Sequence, residues 1–141
     1  MLGRVTKRGM RGVRALRKLV LERIGTRPKD SENERWFYKH VIEPYGLPPP
    51  VHNFRVPGPD GYHKVDAGYP QFALSIELHS KRHHTSIAQV KADSEKQNKL
   101  VLAGLTPLVF WWEDVKYRPA EVAEKIWAAI SWAEARADGR L

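Results

Sequence analysis

Acidic residues and histidines cluster in the stretch from Lys64 to His84, "KVDAGYPQFALSIELHSKRHH". Asp66 and Glu77 each stand inside an otherwise apolar run, and His79, His83 and His84 follow within six residues. Two carboxylates that converge on a partly apolar site repel one another unless a cation lies between them, and oxygen ligands suit Mg²⁺. The pattern is therefore compatible with a Mg²⁺ site. The simpler alternative is a strand whose polar residues face solvent.

Alternation along residues 72–79 predicts which of these side chains share a face. In an extended strand the apolar side chains of this segment point to one side, whereas Ser75, Glu77 and His79 point to the other. A short turn, "GYPQ", brings the preceding strand alongside. We expect Asp66 to approach Glu77 and His79 if the register of the two strands allows it.

The elements that position these residues follow from periodicity and from stop signals. A capping-box pattern at Ser31 and Glu34 begins a helix that ends at Gly46. Trp111 and Trp112 end a predicted buried strand, as a base-stacking pair or as core residues. We expect a mixed sheet flanked by helices, with an antiparallel hairpin and a helical crossover to the fourth strand. The remaining predicted elements are strands over 51–56, 62–67, 72–79 and 106–112, a helix over 85–103, a loop after the two tryptophans and a helix from Pro119.

Positive charge is concentrated at the amino terminus. The chain of 141 residues has a formal charge of +8, yet residues 1–29 hold ten Lys or Arg against one acid, and residues 30–141 hold 14 against 15. A basic amphipathic helix is predicted there, with its cations at Arg11, Arg14, Arg17 and Lys18. Such a helix binds a phosphate backbone through counterion release, and we favour DNA over anionic lipid as its partner. The alternative is a solvated helix docked on the body.

Composition excludes several classes of protein. The chain has no cysteine, which rules out disulfides, thiolate zinc sites and cysteine nucleophiles. No apolar run approaches the ~20 residues of a membrane span, so we expect no membrane protein. The absence of a signal peptide favours the cytoplasm. A single domain over residues 30–141 behind the basic arm is expected.

The order of these motifs resembles the PD-(D/E)XK nuclease superfamily. The resemblance extends from about residue 31 to residue 130 through "SENE", "VDAGYP", "IELHS" and "DSEKQNKLVLAGLTPLVFWWEDV". More narrowly, the motifs resemble the branch of this superfamily that is related to very-short-patch-repair (Vsr) endonucleases. That branch includes EDxHD homing endonucleases and uncharacterised bacterial domains. The resemblance implies a restriction-endonuclease-like α-β-β-β-α-β fold.

The resemblance also implies site residues, each matched to one position of the family pattern. Glu34 matches the acid of the first helix, Asp66 the metal-binding aspartate, and Glu77 the acid of the next strand. His79 stands where many relatives have lysine and the Vsr-like branch has histidine. Asp93 matches the final acid of the pattern, and His83 or His84 matches a further histidine. The uncharacterised group of relatives often carries Glu-Val-Asp-Gly instead of Glu-Leu-His-Ser, and arginine at the position of Lys96.

The implied activity is hydrolysis of DNA phosphodiester bonds with Mg²⁺ or Mn²⁺ held by Asp66 and Glu77. His79 would activate water or stabilise phosphate, and Lys81, Arg82 and Lys96 would hold the backbone. We expect a monomer or homodimer that nicks or cleaves DNA. The alternative is a catalytically silent module that keeps the nuclease fold and binds DNA or a partner.

Overall fold

The computed structural model describes residues 32–58, 61–80 and 86–139. Several predicted features lie outside the described residues: the basic arm over residues 1–29, the proposed cap Ser31, and the group Lys81, Arg82, His83 and His84.

Four strands and four α-helices make up the described chain. The first helix continues as a π-helical turn, and a 3-10 turn connects the second and third strands. The elements in chain order are α1 (Glu32–Phe37), the π-helical turn (Tyr38–Ile42), β1 (Val51–Gly58), β2 (Gly61–Tyr69), the 3-10 turn (Pro70–Phe72), β3 (Leu74–His79), α2 (Ile87–Leu102), β4 (Thr106–Trp111), α3 (Trp112–Tyr117) and α4 (Pro119–Ala137).

The strands form one mixed sheet in the order β1-β2-β3-β4. β1 with β2 and β2 with β3 are antiparallel, whereas β3 and β4 are parallel. Helix α2 makes the crossover that a parallel pair requires, and it begins where Ser86 Oγ accepts a hydrogen bond from Gln89 N at 3.1 Å. The predicted mixed sheet with flanking helices is confirmed.

Each face of the sheet has its own core. On one side, Leu74 and Ile76 pack with Phe37 of α1 and with Ile126 and Ile130 of α4. The other side has a smaller cluster, in which α2 contributes one buried residue. Its buried members are Phe54, Val56, Val65, Leu100 and Leu105. Burial of these apolar side chains fixes both layers of helices against the sheet.

Three local predictions were wrong. The strand predicted from Phe72 begins at Leu74, because Pro70–Phe72 forms a 3-10 turn and Ala73 adopts a left-handed φ of 54°. The predicted loop after the tryptophans is helix α3, which the fully buried Val115 holds against the core. The predicted buried strand β4 lies at the sheet edge, and only Phe110 in it is buried.

Close packing at the second strand fixes the backbone next to the acidic residues. The Phe54 ring lies over Gly68 so closely that a Cβ there would stand 1.9 Å from a ring carbon. Any side chain at this position would displace the ring, so glycine is needed for the approach of the two strands.

Within the described ranges, the helices are all too short or too polar to cross a membrane.

Candidate functional site

Asp66 and Glu77 occupy neighbouring positions on two adjacent strands. Ala67 pairs with Ile76 in the antiparallel register, which places Asp66 beside Glu77. Asp66 Oδ2 accepts a hydrogen bond from the backbone N–H of Leu78 at 2.7 Å. The approach of Asp66 to Glu77 that the sequence predicted is therefore present, and the backbone hydrogen bond holds the Asp66 carboxylate at the edge of β3.

Lys96 from the crossover helix completes a charged triad with these two acids. Its Nζ donates a hydrogen bond to Glu77 Oε1. Burial raises the pKa of Glu77 to about 7, while the hydrogen bond from Lys96 lowers it and the negative charge of Asp66 raises it further. A carboxylate that resists ionisation this strongly favours the approach of additional positive charge.

A cavity of about 180 Å³ opens beside this triad, between β3, β4 and helix α2. His79 and Asp93 reach it, and so do Glu77 and Lys96. The remaining lining residues are Leu78, Ser80, Gln89, Gln97, Leu100, Pro107 and Val109. Four titratable side chains from two elements therefore face one space with an apolar floor, which is a suitable setting for polar chemistry.

Asp93 and Lys96 reach the cavity because of their spacing on α2. They lie three residues apart, with Leu100 four residues further on, so that the three side chains share one side of the helix. Leu100 is fully buried against the sheet and fixes that side inward. Gln89 Nε2 donates to Asp93 Oδ1 at 3.2 Å, which orients the carboxylate.

Glu34 lies outside the triad and is hydrogen-bonded to strand β1. Its side chain is only 6% exposed, and its Oε2 accepts a hydrogen bond from Asn53 Nδ2 at 3.3 Å. Asn53 stands on β1 between His52 and Phe54, which pair with Ala67 and Val65 of β2. The hydrogen bond therefore connects Glu34 with the strand that lies next to the one carrying Asp66.

The two consecutive tryptophans at the end of β4 have different surroundings. Trp112 packs against the larger core, and its ring lies 6.3 Å from that of Trp36. Trp111 is 43% exposed, and its ring centroid lies 6.3 Å from that of His79 in an edge-to-face arrangement. Trp112 therefore contributes to the core, as the sequence predicted for at least one of the pair, and base stacking by Trp111 stays a prediction.

Other histidines stand outside the cavity lining, as the sequence suggested. His40 stacks on Trp36 with ring centroids 4.0 Å apart, and His52 lies 5.5 Å from the Tyr38 ring. Both contacts are structural. His63 is half-buried on β2.

Sequence reasoning assigned no role to three polar residues near the site. Gln89 lies one helical turn before Asp93, a spacing that signals a shared face. Ser75 is fully buried and lies on the same strand face as Glu77, a placement that the alternation of apolar and polar residues in the sequence predicts. Asn53 gave no signal, because its left-handed φ of 52° and its contact with Glu34 both depend on distant parts of the chain.

The carboxylates of the site offer a limited set of ligands to a divalent metal. In the ranges that the structure covers, no group of three or more His, Cys, Asp or Glu is arranged to hold a metal ion. Mg²⁺, however, commonly uses one or two carboxylates together with waters and substrate phosphates. The adjacent carboxylates of Asp66 and Glu77, where burial and then the charge of Asp66 raise the pKa of Glu77, fit that mode of binding.

Comparison with known proteins identifies relatives without a described function. Over 121 residues the chain is 29% identical to uncharacterised proteins from two strains of Mycobacterium tuberculosis. The match covers 85% of this chain and 44% of each relative, so the chain spans less than half the length of the curated relatives it matches. No family model matches, and no solved structure matches.

Proposed function

We propose that this chain is a Mg²⁺-dependent endonuclease that hydrolyses phosphodiester bonds in DNA, on a restriction-endonuclease-like core of the Vsr-like type. The observed element order, α-β-β-β-α-β followed by two helices, is compatible with that core. The proposal further places the enzyme in the cytoplasm, where it would act on DNA as a monomer or homodimer.

One observation carries the proposal: two carboxylates on adjacent strands, Asp66 and Glu77, stand together, and Glu77 lines a cavity with a lysine and a histidine. Phosphodiester hydrolysis requires neutralisation of phosphate charge, an activated water and a proton for the leaving oxygen. Side chains suited to each of these needs face the same 180 Å³ of space.

Roles follow from position. Asp66 and Glu77 would hold Mg²⁺ or Mn²⁺, which when bound supplies Lewis-acid neutralisation of the phosphate. His79, on the same strand face as Glu77, would exchange a proton with water or contact the phosphate. Lys96 would neutralise Glu77 in the free protein and turn to the phosphate when DNA binds.

Two acids would support rather than enter the chemistry. Asp93 would orient Lys96 from the preceding turn of α2. Glu34 would act through Asn53, its hydrogen-bond partner on β1, the strand that pairs with the one carrying Asp66.

A plasmid assay tests the proposal. The full chain should convert supercoiled DNA to nicked or linear product with Mg²⁺ and not with EDTA. Asp66→Asn should lower the rate by roughly a thousandfold or more, because several kcal/mol of charge stabilisation depend on the carboxylate. Asparagine keeps an oxygen that can accept the Leu78 N–H, so the strand pairing is preserved.

The matched control is Asp138→Asn, an exposed acid just after α4, which should cut as fast as wild type. Cleavage by Asp66→Asn at the rate of the control would reject the assignment of the site.

A second candidate, a DNA-binding module without turnover, has one observation in its favour. Lys96 already supplies positive charge to Glu77, which offsets part of the cost of burying this carboxylate without a metal. In that case the plasmid would be bound and retarded in a gel but never cut, with Mg²⁺ or without it.

A further inference from the structure

The hairpin of β1 and β2 continues past the rest of the sheet as a two-stranded ribbon. β1 pairs with β2 from Val51 to Gly58, whereas β2 pairs with β3 only over Ala67–Tyr69. In the described sheet, residues 61–65 therefore pair with β1 alone. Asp66 lies where β2 separates from β3, so the ribbon starts at the candidate site and leads away from it.

The two faces of this ribbon differ in burial. Phe54 and Val65, which pair with each other, are buried in the smaller core cluster, to which helix α2 also contributes. Side chains alternate along a strand, so Arg55, Tyr62 and Lys64 point the other way and form the outer face of the ribbon. Arg55 is half-buried there, whereas Tyr62 and Lys64 are exposed.

The outer face leads along β2 to the proposed metal ligand. Tyr62, Lys64 and Asp66 follow one another at every second residue, so they share one side of the strand at intervals of about 6.6 Å. Arg55 stands directly across from Lys64. Two cations therefore lie one such interval from the carboxylate of Asp66.

Arg55 and Lys64 place two positive charges opposite each other without a compensating acid. Like charges in a directly opposed pair of an antiparallel sheet are destabilising. In the part of the chain that the structure describes, neither side chain forms an ion pair or a hydrogen bond with an acid. A lysine on an open strand edge also discourages aggregation, but that role does not require an arginine across from it. An anion bound from outside accounts for both cations.

We propose that the outer face of the ribbon is a contact surface for the phosphate backbone of double-stranded DNA, on which Arg55 and Lys64 neutralise phosphates next to the bond cut beside Asp66. The inference rests on the proposed function and assigns it two contact residues. Arginine, lysine and tyrosine are all common phosphate contacts, and a two-stranded ribbon fits the width of the major groove. Phosphate contacts fix the position of the DNA without reading its sequence.

Binding in EDTA isolates these contacts from chemistry. The probes are two fluorescein-labelled duplexes of equal length and unrelated sequence, followed by fluorescence anisotropy with the full chain over a series of KCl concentrations. The test variant carries Arg55→Gln and Lys64→Gln. The matched control carries Lys39→Gln and Lys125→Gln, two exposed lysines whose loss makes the same change in net charge.

The expected result is a loss of affinity in the test variant of roughly 10- to 100-fold at low salt, equal on the two duplexes. The slope of log affinity against log salt should fall by about 1.8, because two phosphate contacts are lost, and the control should change it much less. The melting temperature of the test variant should equal or exceed that of wild type, since a repulsion is removed.

Three results would overturn the proposal. Equal losses in the test and control variants would mean that net charge, and not this surface, governs binding. A loss on only one of the two duplexes would mean that the ribbon reads sequence. A test variant that melts below the control would show that the Arg55–Lys64 pair stabilises the ribbon and needs no bound anion.

Failure of the nuclease proposal gives a different result. A chain that never cuts plasmid yet shows the difference between test and control would bind DNA through the ribbon without being the proposed enzyme. If the chain cuts with Mg²⁺, the test variant should need more DNA for half-maximal rate but cut near the wild-type rate at saturation, because Asp66 is untouched. A cutting chain in which test and control behave alike would keep its activity and lose this inference.

Discussion

The two faces of the sheet are built from the same strands but differ in what they contain. In β3, Leu74 and Ile76 point towards α1 and α4, where four residues of α4 are buried. Ser75, Glu77 and His79 point the other way, towards α2, where Leu100 is the buried residue of the helix. Strict alternation in a six-residue strand therefore separates an apolar face from a polar one.

Because of this difference, stability depends mainly on the apolar face, and the candidate chemistry lies on the polar face. Apolar burial on the α4 face is favourable without further conditions. On the α2 face a carboxyl group is held with a pKa of about 7, so the folded chain there opposes the ionised form. Groups kept in unfavourable states are characteristic of functional sites rather than of packing. Variants on each face should accordingly affect different measurements.

Replacement of His79 should have the largest effect, on activity. His79→Ala should lower the single-turnover cleavage rate by roughly two to four orders of magnitude, as expected for loss of a proton-transfer group. His79→Lys distinguishes the mechanisms, because an ammonium stabilises phosphate but does not accept a proton at neutral pH. Substantial rescue by lysine would indicate electrostatic stabilisation. His40→Ala, distant in sequence and stacked on Trp36, is the control. Wild-type cleavage by His79→Ala would make His79 a bystander.

Truncation on the apolar face should act on stability. Ile126 is fully buried in α4, and Ile126→Ala should lower the free energy of unfolding by about 2–5 kcal/mol through lost burial and a cavity. Val101→Ala, more than half exposed on α2, should change it by less than about 0.5 kcal/mol. Urea denaturation measures both. A small loss for Ile126→Ala would contradict the assignment of the main core to this face.

Glu77→Gln should raise stability in EDTA above neutral pH. The raised pKa means that the folded chain retains a proton that the unfolded chain has lost, so stability falls as pH rises from about 4.5 to about 7 and stays reduced above it. Glutamine removes this cost, and a gain of roughly 1–3 kcal/mol is expected at pH 8, with little change near pH 4. Lys96, one-third exposed, is left in contact with water.

Urea denaturation at both pH values, with the exposed Glu124→Gln as control, measures this effect. Destabilisation by Glu77→Gln at pH 8 would show that the ion pair with Lys96 outweighs burial, and the contrast between the two faces would then be wrong.

The smallest effect concerns the basic arm. Changing Arg11, Arg14, Arg17 and Lys18 to Gln should weaken DNA binding and flatten its salt dependence by roughly 0.7–0.9 in slope for each lost phosphate contact. The control removes four exposed lysines of the body, Lys39, Lys91, Lys116 and Lys125, with the same change in net charge. Equal effects of the two variants would mean that total charge, and not the arm, governs binding.

Local sequence patterns predicted the strands and the long helices, but they did not predict contacts between residues that are distant in the sequence. The alternation of Glu77 and His79 and the spacing of Asp93 and Lys96 were readable because each lies within one element. The pairing of Glu77 with Lys96 depends on how deeply α2 sits on the sheet, which no local pattern contains. Helix α3 was missed because its six residues are too few for a periodic signal, and Val115 is its one fully buried residue.

Direct binding of a divalent cation by Asp66 and Glu77 is measured by titrating the full chain with Mn²⁺ and following the free ion by electron paramagnetic resonance. Wild type should show saturable binding that Mg²⁺ displaces, and Asp66→Asn should weaken it by more than about tenfold, while Asp138→Asn should bind as wild type does. Mn²⁺ binding that is equal in wild type and Asp66→Asn, or absent from wild type with DNA present, would contradict the metal-dependent site.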